Sequence, residues 1–113
     1  MTPLSKPTSP TRPPRALRPR KASHAAECEA LEQLPNIGPA LAGDLRSLGI
    51  DRPQQLAGRD AFALYRALCE RSGRRQDPCV LDTFIAATEF MGGAAPKPWW
   101  HYTASRKSVY GVL

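Results

Sequence analysis

The 113-residue chain has no uninterrupted run of about 18 apolar residues, the length a membrane-crossing helix needs, so no membrane span is expected. It is poor in metal-binding side chains. Two histidines (His24 and His101) and three cysteines (Cys28, Cys69 and Cys79) lie far apart and form no C-x-x-C pair. Zinc sites need closer spacing, and an odd number of thiols makes no disulfide framework. Reduced cysteines packed as small hydrophobes are expected, with no metal and no cofactor. Acidic residues are absent before Glu27, and large apolar residues are almost absent from the first twenty positions. The N-terminus therefore has no apolar core of a secretory signal. It is Arg-rich like a transit peptide, but its prolines would break the amphipathic helix such peptides form. A cytoplasmic location is expected. Strand-like alternation is also missing, except for a hint near the C-terminus, which leaves an all-α fold.

Proline and basic residues are abundant instead. Six of the twelve prolines fall within the first twenty residues, together with Arg12, Arg15, Arg18 and Arg20. Such a segment cannot bury enough surface to offset its chain entropy, so residues 1–24 read as a disordered basic tail. The chain carries 16 Lys and Arg against 10 Asp and Glu. The tail holds six of the cations (Lys6 and Lys21 are the others) and no acid, leaving ten of each sign in the remainder. The sequence pI near 9.7 points to nucleic acid or another anionic partner, and that attraction comes from the tail.

Residues 25–108 read as one domain of about five short helices, followed by a C-terminal end at 109–113. The spacing predicts a helix over Glu27–Leu34, ended by Pro35. Asn36 tolerates the left-handed conformation of a sharp corner, and Pro39 suits a first helical turn. Leu41, Leu45 and Leu48 then form an apolar stripe, and Gly49-Ile50 reads as a helix stop in which Ile50 packs back. Pro53–Ala57 reads as a further helical turn. Asp60 caps a helix over Ala61–Arg71, and Asp77-Pro78 starts the most apolar helix, which runs to Met91. The closing segment reads as a loop and a short helix docked by Trp99 or Trp100.

The segment Leu34-Pro35-Asn36-Ile37-Gly38-Pro39, followed by Leu45 and Gly49-Ile50, resembles the helix-hairpin-helix consensus. The resemblance implies a small, SAM-like helical bundle. In such a corner the main-chain amides and the helix dipole favour an anion such as a DNA phosphate. The candidate DNA-backbone residues are Asn36, Ile37, Gly38, Ala40 and Leu41, with Ile37 pointing between the helices. Two features weigh against strong binding. Ala40 stands where DNA-binding copies often place a cation, and Asp44 and three upstream glutamates lie nearby.

The blocks Asp77-Pro78-Cys79-Val80-Leu81-Asp82 and Pro98-Trp99-Trp100-His101-Tyr102-Thr103 extend the likeness. Over roughly residues 28–107 the chain resembles a bacterial family of pathogenicity-locus and mitomycin resistance proteins. More distantly it is similar to the C-terminal domain of TfoX-type competence regulators. This resemblance implies an association with DNA metabolism, in repair or damage resistance, and brings no catalytic residue. Ala61 departs from the family's usual proline after the cap.

Other clusters have plain readings beside functional ones. Arg71, Arg74 and Arg75 form a secondary basic patch beside a helix start whose amides Asp77 would already cap. Trp99, Trp100, His101 and Tyr102, with Lys97, Arg106 and Lys107 close by, would either stack single-stranded bases or form a lid on a small core. Cys79 at a helix start would need His101 as its base to act as a nucleophile. Asp77 and Asp82 are better explained by capping and solvation than as an acid-base pair. The expected function is a non-enzymatic, sequence-independent contact with duplex DNA, weak and through the backbone. The alternative is a helical module that binds a protein partner or itself.

Overall fold

The computed structural model describes residues 20–111, and the expectation of a disordered tail over residues 1–19 lies outside them. The described residues contain four α-helices and no strand: α1 (Pro39–Ser47), α2 (Ala61–Ser72), α3 (Pro78–Met91) and α4 (Thr103–Tyr110). Four short 3-10 turns link them, at Ala25–Glu27, Leu31–Gln33, Pro53–Leu56 and Trp99–Tyr102. The all-α expectation holds, and the C-terminal hint of alternation belongs to α4.

The helix expected over Glu27–Leu34 is instead two 3-10 turns with Cys28 extended between them. The cause is local. The Gln33 side-chain carbonyl accepts the amides of Glu29 and Ala30, at 2.7 and 2.9 Å, so those donors are satisfied without a helix. Pro35 then holds Leu34 in the extended region. Gln55 repeats the device, accepting the amides of Asp51 and Arg52 ahead of the turn at Pro53.

The other local signals behave as their chemistry dictates. The Asp60 carboxylate caps α2 by accepting the Phe62 amide, and Asp77 caps α3 by accepting the Cys79 amide. Gly73 ends α2 at φ 74°, a left-handed conformation that costs glycine nothing. At the end of α1, Gly49 takes φ 88° and the Ile50 amide reaches back to the Leu45 carbonyl, burying Ile50.

Helix α3 is central. It packs on α2, on α4 and on the turns at Pro53 and Trp99, and it buries Leu81, Phe84, Ala87 and Phe90. The turn at Leu31 packs against α1, and Leu31, Leu34, Ile37 and Leu45 are fully buried there. The body begins before the expected boundary at residue 24. Ala22 lies in the core and donates its amide to the Gln33 carbonyl at 2.9 Å.

Of the two tryptophans expected to dock the C-terminal segment, Trp100 is 63% exposed, while Trp99 is partly buried and lines a groove with Thr103 and Lys107 of α4. The docking is polar. Arg106 in α4 donates to both oxygens of the fully buried Asp82, at 2.8 and 3.2 Å, and Thr103 donates to the same carboxylate at 2.8 Å. Tyr110, past the expected domain end at 108, stacks on Phe62 with ring centroids 4.6 Å apart. Two expectations change accordingly. Asp82 is half of a buried ion pair rather than a solvated acid, and Arg106 is withdrawn from the cations around the tryptophans.

Removing one member of a buried pair strands the other. Asp82→Ala should cost about 3–5 kcal/mol, and Asp82→Leu combined with Arg106→Met should recover most of that loss. Urea midpoints at constant slope would measure both.

Candidate nucleic-acid interface

The corner between the turn at Leu31 and α1 is built from chemistry spread along the chain. Asn36 adopts φ 68° and is the sole residue other than glycine with positive φ among those described. Its side-chain amide donates to the Lys97 carbonyl at 2.9 Å, tying the corner to the loop before Trp99. Ile37 is fully buried, as its role as a spacer requires. Gly38 is the N-cap of α1, with ordinary extended dihedrals (φ −97°, ψ −173°), and Pro39 is the first helical residue.

The corner has two faces of opposite polarity. On one, the carbonyls of Ile37, Leu34 and Glu32 converge on the Lys21 ammonium at 2.7, 2.8 and 3.0 Å. On the other, the first bond of α1 runs from the Ala42 amide to the Gly38 carbonyl. The amides of Gly38, Ala40 and Leu41 precede it, and among the described residues no acceptor takes them. Ala40 is exposed, and Gly38 and Leu41 are partly so. These are the orphan donors that every helix start carries, concentrated where the dipole is positive.

Of the five residues expected at this site, Gly38, Ala40 and Leu41 present free amides. Ile37 does not, because its amide goes to the Leu34 carbonyl at 3.2 Å. Asn36 spends its side chain on Lys97 and serves to shape the corner. The upstream glutamates weigh less than their number implies. The Arg46 guanidinium holds both oxygens of Glu32, at 3.0 and 3.1 Å, and these bonds keep that carboxyl below its usual range. Glu27 accepts the Ser23 amide and lies 3.3 Å from His24. Asp44 keeps an unpaired carboxylate among the described residues.

Two residues that sequence reasoning placed elsewhere belong to this corner. Lys21, assigned to the tail, closes the carbonyl face. Lys97, grouped with the tryptophans, is carried to the corner by its own backbone, and its ammonium has no ion-pair partner among the described residues. No local pattern marks either one.

The secondary patch stands at a different corner. Arg71, Arg74 and Arg75 are all exposed where α2 gives way to α3. The Asp77 cap there occupies the Cys79 amide, so this helix start lacks the open donors found at Gly38.

Cys79 lines a groove of about 460 Å³ with Pro78, Trp99, Thr103 and Lys107, over the Asp82–Arg106 pair. Burial and the neighbouring Asp77 carboxylate push its thiol up to about 11, the reverse of an activated thiolate. His101 does not line the groove; its ring packs edge-on against Tyr102.

The amino-acid sequence places the chain in a known family. The family model "Cdd1: Pathogenicity locus" matches residues 24–108, and the chain belongs to that family. It is 40% identical over 79 residues to the mitomycin resistance protein McrB of Streptomyces lavendulae, covering 70% of this chain and 75% of that protein. No solved structure matches it.

Two outcomes follow. Lys21→Met keeps the aliphatic stem but removes the charged donor from three carbonyls, of which that of Leu34 retains the Ile37 amide, and should cost about 1–2 kcal/mol in urea denaturation. Native Cys79 should alkylate roughly a hundredfold more slowly at pH 8 than an ordinary thiol, and at an ordinary rate in denaturant, as read by site-resolved mass spectrometry.

Proposed function

We propose that this chain is a non-enzymatic module that contacts the DNA phosphate backbone through the amides of Gly38, Ala40 and Leu41. The reading rests on three amides that no acceptor takes among the described residues, at a helix start whose neighbouring carbonyls Lys21 takes up. Amides and a helix dipole hold a phosphate without reading the bases, so the contact is sequence-independent. Lys97 supplies the cation that Ala40 does not, and the basic N-terminal segment adds a salt-sensitive attraction. A relative is named a mitomycin resistance protein, and a DNA-contacting module of that kind would act at damaged DNA.

Gly38 supports the assignment. A Cβ built there meets no protein atom within 4 Å, and its dihedrals suit any residue, so packing does not demand glycine. A side chain would instead project over the open amides. The second reading, a helical module for a protein partner, draws on the exposed Trp100 and on Asp44 within α1, whose carboxylate has no ion-pair partner among the described residues.

Gly38→Asp separates the effects of folding and binding. An aspartate at the N-cap accepts the very amides that phosphate would take, and its charge suits the dipole. The variant should be as stable as the parent or slightly more so, and should bind a fluorescent duplex at least about tenfold more weakly by anisotropy at low salt, a loss of about 1.4 kcal/mol. Unchanged binding by a well-folded variant would remove the corner from the interface.

A further inference from the structure

The hydrogen bond from Asn36 to the Lys97 carbonyl ties the loop that leads into the Trp99–Tyr102 turn to the corner. Trp100 lies three residues beyond Lys97, so its backbone is at most about 11 Å from the Lys97 backbone. Its indole is 63% exposed, and Trp99 holds it edge-on, with ring centroids 5.6 Å apart at 85°. Lys97, which has no ion-pair partner among the described residues, lies in the chain between Trp100 and the carbonyl contact with Asn36. The segment that Asn36 ties to the corner thus carries a cation and an exposed indole within four residues of each other.

We infer that this surface takes a DNA strand with unpaired bases, the corner holding a phosphate while Trp100 stacks on a neighbouring base. The inference rests on the phosphate-binding reading of the corner and adds a preferred substrate. The faces of bases inside an intact duplex are already stacked, so an indole fixed beside the backbone reaches a π-face only where a base is unpaired, in a gap, a flap or a single strand. Stacking on an aromatic side chain accepts any base, so the surface remains indifferent to sequence. Charge complementarity favours nucleic acid over an apolar protein partner. The cation and the amides both call for an anion, the indole calls for an apolar face, and a strand offers a phosphate and a base side by side.

The test uses the full chain with three labelled probes: a single-stranded oligothymidine, a duplex, and the same duplex with a one-nucleotide gap. The parent should bind the single strand and the gapped probe more tightly than the intact duplex, by about five- to a hundredfold. Its tryptophan fluorescence should be quenched by those probes alone. Trp100→Ala should abolish the preference and the quenching while leaving duplex affinity unchanged, and Trp100→Phe should restore part of the preference. Because the side chain is exposed, circular dichroism and the unfolding midpoint should not move. Equal binding of all three probes by the parent, or a Trp100→Ala variant that keeps the preference, would overturn the inference. So would self-association in sedimentation that Trp100→Ala removes while DNA binding persists, which would make the indole a protein contact. If Gly38→Asp leaves binding to every probe intact, the corner reading fails instead, whatever Trp100 does.

Discussion

One ammonium beneath three carbonyls organises the corner. A tight bend between a 3-10 turn and a helix gathers main-chain oxygens on its concave side and main-chain amides on its convex side. Left alone, the oxygens of Glu32, Leu34 and Ile37 would compete for water and for one another's space. Lys21 gives all three a charged donor. With that side satisfied internally, the bend is held in one shape, and its opposite side keeps unpaired donors. The buried Ile37 side chain and the left-handed Asn36 add rigidity from within.

The second constraint lies across the molecule. The Asp82–Arg106 pair, with Thr103 on the same carboxylate, sets how α4 lies on α3. A hydrophobic contact could slide by a turn, whereas a bidentate guanidinium on a fully buried carboxylate cannot do so without stranding charge. The orientation of α4 fixes the turn that carries both tryptophans, and through it the loop that brings Lys97 to Asn36. A buried interaction thereby bears on the placement of the two side chains that the proposed contact would use.

Much of this was legible in the sequence wherever the cause is local. Asn36, the Gly-Pro pair, the Gly49-Ile50 stop and the Asp60 and Asp77 caps are decided within a few residues, and each reads directly from residue type and spacing. The short segment before Pro35 misled because Gln33 offers the backbone an alternative to helix, a competition that periodicity does not register. The rest is long-range. Lys21 looked like one more cation in a basic tail, and Arg106 like one more cation beside the aromatics. Only the fold shows that one is spent on carbonyls and the other on a buried acid, while Lys97 stays free at the corner. The count of charges was right, and their distribution between inside and outside was not visible.

The bond between Asn36 and Lys97 spans 61 positions. The bend closes early from neighbouring residues, but its cation and its indole arrive only after the chain has completed its longest circuit. A partly folded molecule would therefore carry the amides without their companions, and on the proposed reading full grip on a strand would require the C-terminal segment to be in place.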